Sequence, residues 1–198
     1  MAYREKRKDY RIQDTLAIEY QVLSSGEYEA EKLRLKNQPS GVRTLKDKYA
    51  HLLPNGQEGE NLGSGDSELI RGLLKIIIGL NEKVDLILSH LEGKEGDVSI
   101  YRTPPQEVSL GAAGIGFCSS EHIPMEAYIK VRMLLPQNPQ VLITTLGKVV
   151  WVTAKQTGEV KRFEVGILFL DIHEDDREAI IKHIFTRQRD ILRSRAKS

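Results

Sequence analysis

The stretch VKRFEVGILFLDIHEDDREAIIKHIFTRQRDILRSR, Val160 to Arg195, changes its period halfway along. Up to Leu170 it is rich in β-branched and aromatic residues and reads as a strand. From Glu174 onward Ile180, Ile184, Gln188 and Ile191, with Ile181 and Phe185 beside them, recur at helical spacing and form the expected buried stripe. Acidic residues open this second half and basic residues close it, as the helix dipole favours. A strand therefore feeds directly into a terminal helix.

Working back toward the N-terminus, the same strand character recurs in QVLITTLGKVVWV, AYIKVRMLL and GIGFCSS, separated by the turn-forming IPME, PQNP and KQTGE. A first strand runs from Ile12 to Leu23, with Leu16, Ile18, Tyr20 and Val22 on one side. After Gly26, EYEAEKLRLK has high helix propensity and ends at QPSG. Five or six short strands with polar turns predict a small antiparallel barrel or sandwich, closed by the C-terminal helix. The fold class is α+β.

Between the first strand and the others lies a different kind of sequence. PNGQEGENLGSG, Pro54 to Gly65, has the composition of a linker. Asp66 is a good N-cap for a helix over 67–92, with Gly93 placed to end it. Ile70, Leu73, Ile77, Leu80, Val84, Ile87 and Leu91 step by three and four through three heptads, the pattern of a helix packed lengthwise against other helices. Leu74, Ile76 and Leu88 widen the apolar face beyond one seam, which favours several neighbours over one. A plainer reading is a core helix of the same chain. Against it stand the linker and a helix length of roughly 39 Å, more than a small core needs. The resulting domain plan is a barrel with its helix over 1–36 and 97–198, and a helical insertion over 37–96.

Composition narrows the function classes. With 40% hydrophobic and 29% charged residues among 198, the chain has the balance of a globular protein, and no window approaches the roughly 20 apolar residues of a membrane span. Met1 to Lys8 lacks the apolar core of a signal peptide, so the expected compartment is the cytoplasm. The single cysteine, Cys118, excludes an internal disulfide and leaves nothing for a zinc cluster, and the five histidines show no ligand spacing. A net charge of +1 makes no strong case for nucleic acid. Cys118 and His122 invite a nucleophile and base reading, but a cysteine in a strand-like run is more often a small core residue. Gly111, Gly114 and Gly116 are not in the order of a dinucleotide fingerprint and no helix follows them. Nothing in the chain points to an enzyme, a metal or a resident cofactor.

Both termini are basic. RKDYR puts Arg7 and Arg11 four residues apart, a spacing that places them on one side of either a strand or a helix. Two rigid guanidinium forks there suit phosphate oxygens or the O6 and N7 edge of guanine. After Ile181 the tail holds six Lys or Arg residues against Asp190 alone. These either complement the helix dipole and solubilise the surface, or form a docking face for an acidic partner or RNA.

The basic RxxxR of Arg7 and Arg11, the GIGF turn, the VGILFLDI strand and the IFTRQRD helix together resemble a PilZ domain, over Arg4 to Tyr20 and Glu107 to Arg193. The interrupted middle is similar to the atypical PilZ type in which an inserted helix assembles tetramers. The resemblance implies a six-stranded antiparallel barrel, a non-enzymatic role, and cyclic di-GMP as the ligand, gripped by the arginines and by a D/N-x-S-x-x-G turn. SLGAAG, Ser109 to Gly114, stands where that turn belongs, and only Gly114 agrees. Ser109 replaces a carboxylate or amide, and Gly111 replaces the serine. The candidate ligand residues are thus Arg7, Arg11, Ser109, Gly111 and Gly114. Two functions follow: a cyclic di-GMP receptor, or a ligand-independent adaptor made multivalent by its helix, homotetrameric in either case and with an unknown protein partner.

Overall fold

The computed structural model describes residues 10–44, 72–73, 76–81, 83–84, 87, 99–137, 140–157 and 160–195. Alternation builds the first element. In β1 (Arg11–Leu23) Ile12, Asp14, Leu16 and Ile18 turn inward while Gln13 and Thr15 face water. Val22, expected on the inner side, is exposed, because the strand end hands its burial to Ala17 and Leu23 instead.

Five further strands complete the wall: β2 (Gln106–Gly111), β3 (Gly114–Ser119), β4 (Tyr128–Leu135), β5 (Val141–Thr157) and β6 (Val160–Asp171). All neighbours are antiparallel and the sheet closes on itself in the order β1-β2-β3-β6-β5-β4. Closure leaves no edge strand, so every ladder is paired. The strands β5, of 17 residues, and β6, of 12, form one long hairpin where the sequence suggested smaller pieces. Register shifts at Leu146/Gly147 and Val149/Trp151 bend that hairpin around the barrel. A Cβ at Gly147 would lie 2.5 Å from the Leu168 carbonyl oxygen, so only glycine allows the strands to approach there. The short β2 was not legible as a strand, and Ser109 therefore lies in a ladder rather than in a turn.

The barrel interior is filled by fully buried aliphatic side chains such as Leu110, Ile115, Val131, Met133, Ile143 and Val165. The terminal helix, α2 (Glu174–Arg195), adds Ala179, Ile180 and Ile184 to this core. Burial of one such isoleucine contributes roughly 1.5–3 kcal/mol. The stripe differs from expectation at Phe185, which is 64% exposed, and at His183, which is buried in its place. Helix α1 (Ser25–Asn37) starts at a capping box, with Ser24 and Glu27 exchanging hydrogen bonds, and ends before Pro39. Its Tyr28 and Leu35 form a second, smaller cluster with Leu23 and Leu146. Tyr28 stacks on Tyr128 at 4.1 Å and donates to Asp171 at 2.6 Å. Burial, then the Asp171 carboxylate, push the Tyr28 phenol far above its ordinary value.

The two ends of the segment between α1 and β2 are clamped to the barrel, Ser40 to Val42 lying within the expected insertion. On the entry side the Asp176 carboxylate, in the first turn of α2, accepts from the Gly41 and Val42 amides at 3.2 and 3.1 Å, and Ser40 donates to Asp175 at 3.4 Å. A Cβ at Gly41 would lie 1.8 Å from the Leu142 carbonyl oxygen, so this segment lies directly on β5. Burial pushes the Asp176 carboxyl up, partly offset by those two amides. On the exit side Glu19 of β1 accepts from Ser99 at 3.0 Å and Thr103 at 2.8 Å and pairs with Arg132 at 3.2 Å. Ile100, fully buried, packs there with Ala17 and Leu134.

Within the insertion, residues 72–73, 76–81, 83–84 and 87 are helical. Leu73, Ile77, Leu80, Val84 and Ile87 of the heptad seam are each 47–59% exposed. Ile70 and Leu91, the outer members of that seam, lie outside the described residues. Among the described residues no helix is long and apolar enough to cross a membrane.

Candidate functional site

Inward placement of Ile12 puts Arg11, its neighbour on the strand, on the outer face of the barrel, where it pairs in register with Gly111 of β2. Gly111 in turn pairs with Gly114 of β3 across a two-residue turn, Ala112 and Ala113. The Arg11 side chain runs over both glycines. A Cβ on Gly111 would lie 3.0 Å from Arg11 Cγ and 3.2 Å from Nε, and one on Gly114 would lie 3.2 Å from Nη2. Arg11 Nη1 donates to the Ser109 carbonyl oxygen at 3.5 Å. Four candidate ligand residues, Arg11, Ser109, Gly111 and Gly114, are thus brought to one hairpin. Arg7 lies outside the described residues.

The two glycines have separate physical reasons. A side chain at Gly114 would come within 2.2 Å of the Ile167 carbonyl oxygen, so the hairpin can sit against β6 only with glycine. At Gly111 the obstacle is Arg11 itself, a flexible side chain that can move aside. The turn is pinned from behind: Ala113 accepts from the Phe169 amide at 2.9 Å, and Ala112 from Arg177 of α2 at 3.4 Å.

One row further along the same outer face the register aligns Ser109, Gly116, Gly166 and Trp151 across four strands. Trp151 lies flat over this trough. A Cβ on Gly166 would stand 1.9 Å from the indole Nε1, and one on Gly116 would stand 3.6 Å from Cζ2. One face of the indole therefore covers glycine backbone while the side chain remains half-exposed. Sequence reasoning missed Trp151. Its only signal was the pair Gly116 and Gly166, and that pair speaks only once the strand register is known.

Beneath the outer face the buried Asp14 and His183, with the partly exposed Arg187, hold β1 to α2. Asp14 and His183 meet at 2.6 Å, and Arg187 reaches the other Asp14 oxygen with Nε at 3.1 Å and Nη2 at 2.9 Å. Burial pushes the Asp14 carboxyl up, but hydrogen bonds from His183, the Thr15 backbone and Arg187 outweigh it and hold it below the ordinary carboxylate value. This cluster fixes the strand three residues from Arg11. Cys118, expected in the core, is exposed on β3, and the His122 ring packs edge-on against Phe163 at 5.2 Å. Among the described residues no group of three His, Cys, Asp or Glu side chains is placed to hold a metal ion.

No curated protein matches the chain. Among solved structures, a protein of Xanthomonas campestris, described as a tetrameric PilZ domain self-assembled via an unusual helical bundle, superposes with a TM-score of 0.53 at 11% identity. The match covers 96% of this chain and 90% of that one, which at such identity establishes the fold. The PilZ domain family model matches residues 88–186, half of the chain and five of the six barrel strands. A closed six-stranded barrel, a C-terminal helix packed into its core, and an arginine laid over the β2–β3 hairpin place this chain in the PilZ domain family.

Proposed function

We propose that the protein is a non-enzymatic, oligomeric receptor in cyclic di-GMP signalling, one that holds its ligand by arginine contacts and base stacking more than by reading a guanine edge. The observation that carries this reading is the convergence of Arg11 on the Gly111–Gly114 hairpin, one cross-strand row from the Trp151 platform. Phosphate and guanine both suit the guanidinium fork. Ser109 and Gly111 lack the side chains for a bidentate base contact, and each lost contact costs roughly 1–3 kcal/mol. A base stacked on an indole returns roughly 1–3 kcal/mol, about one contact's worth. Net affinity should therefore fall below that of a complete motif while remaining measurable.

Calorimetric titration with cyclic di-GMP tests this on three proteins: the native chain, Arg7→Ala/Arg11→Ala, and Trp151→Ala. Binding is expected in the first, abolished in the second and weakened about tenfold in the third. No heat from the native chain at ligand concentrations far above physiological would overturn the receptor reading.

A second reading has its own observation. Gly111 offers no side chain and Arg11 already rests on it, the arrangement of a hairpin satisfied without ligand. On that reading the barrel is a protein-binding adaptor. Both readings include self-association through the inserted helix, a homotetramer as in the similar Xanthomonas protein, supported by the exposed heptad side chains. Five apolar residues at that spacing, left in water, would be a standing cost that a bundle removes.

A further inference from the structure

Helix α2 has a second apolar seam, on the side away from the barrel core. Ile181, Phe185, Gln188 and Leu192 step by four, three and four, the spacing of a coiled-coil contact line. Ile181 and Gln188 are half-buried, whereas Phe185 and Leu192 are 64% and 57% exposed. With Phe185 and Leu192 at heptad position a, the g flank falls to Ile184 and Ile191, the former buried against the barrel core. The e flank, open to water, falls to Lys182 and Arg189.

Solubility and the helix dipole do not account for this pattern. The dipole acts on the last turn, where Arg193 and Arg195 sit, and not at Lys182 or Arg189 in the middle of the helix. A solubilising face would not carry Phe and Leu at its centre. Nor is the face committed internally. Among the described residues neither Lys182 nor Arg189 forms an ion pair, in contrast to Arg187, which belongs to Asp14.

We infer that this face of α2 is a docking surface for an acidic amphipathic helix of a partner protein. Phe185 and Leu192 would enter the partner's apolar seam, and Lys182 and Arg189 would pair with Glu or Asp on its flank. The choice of occupant rests on complementarity of two kinds. The apolar line is as narrow as a helix seam, whereas a helix lying in a bilayer surface needs a broad apolar face. From Ile181 to Leu192 the charges on the open flank are of one sign, which calls for carboxylates at the facing positions there, while the turn before carries the acidic Asp175 and Glu178. The site is separate from the candidate nucleotide hairpin and does not depend on it.

The test uses the full chain and two labelled synthetic three-heptad peptides, both with Leu at a and d, one with Glu and the other with Lys at e and g. Fluorescence anisotropy should show binding of the Glu peptide and at least tenfold weaker binding of the Lys peptide. Lys182→Glu/Arg189→Glu should reverse that preference, and Phe185→Ser/Leu192→Ser should weaken both by at least tenfold. All four side chains point to water, and unchanged far-ultraviolet circular dichroism and thermal midpoint would show that the variants fold. Equal affinity for the two peptides, no binding of either, or a preference that survives charge reversal would overturn the proposal. So would tighter binding to phosphatidylglycerol vesicles than to the Glu peptide, which would make the face a membrane contact. A change of sedimentation mass in Phe185→Ser/Leu192→Ser would assign the face to a second copy of this chain instead, and also overturn it.

Discussion

Asp14 stands where the alternation of β1 calls for an apolar side chain, and the structure explains it by what Asp14 holds. His183 and Arg187 both depend on that carboxylate, so Asp14→Ala would strand a buried imidazole and release one turn of α2. The expected loss is about 2–4 kcal/mol in urea titration, below the usual range for a wholly buried pair because Arg187 is partly solvated. The pH dependence has a definite sign. A carboxyl held below its unfolded value stabilises the fold above about pH 4, and that contribution disappears as pH falls through the folded value. Asp176 works in the opposite direction. Its raised value means stability is lost as pH rises from the ordinary carboxylate range through the folded value. Stability of Asp14→Ala measured from pH 3 to pH 7 should therefore show a smaller acid limb than the native chain, with the part due to Glu31, held low by Lys130, remaining. A second residue-scale test uses the single tryptophan as its own reporter. Gly166→Ala places a methyl where the indole now lies, so the emission of Trp151 should shift to the red as the ring is displaced into water. An unchanged spectrum would mean that the ring does not cover Gly166 in solution.

Elements held by local chemistry were the most legible. The terminal helix was readable because its period, acidic start and basic end agree, and α1 because its propensity and its breaker at Pro39 agree. The barrel was readable from turn spacing and from the resemblance of its last strand and helix. Three things were not. Strand β2 is short and ends in small residues, so SLGAAG looked like a turn, and its status as a ladder depends on β1 lying beside it. Trp151 acquires meaning only from a register that barrel closure sets, since residues 35 positions apart, Gly116 and Trp151, meet across two strands. Phe185 and His183 exchanged expected roles because Asp14, far away in sequence, selects which face of α2 turns inward. The attachment of α1 gives a test at this scale. Tyr28→Phe removes the hydrogen bond to Asp171 but keeps the stack on Tyr128, and should cost about 1 kcal/mol in thermal or urea unfolding. No measurable loss would mean that Lys32, already 3.8 Å from Asp171, takes over the carboxylate.

For the whole molecule, the proposed assembly rests on the inserted helix. Ile77→Asp/Leu80→Asp puts two carboxylates into the proposed seam, and sedimentation should show the mass fall to that of a monomer with the barrel's circular dichroism retained. An oligomer of unchanged mass would remove the seam from the account. The clamps at Asp176 and Glu19 carry a consequence of a different kind. Because Ser40–Val42 and Ser99–Thr103 are each fastened to the barrel on their own side, the ring of strands closes without help from what lies between them. In the proposed assembly the segment between the clamps would serve as an exchangeable cassette. A lineage could lengthen it, shorten it or substitute another helix, changing the proposed assembly while each barrel's own surface stays as it was.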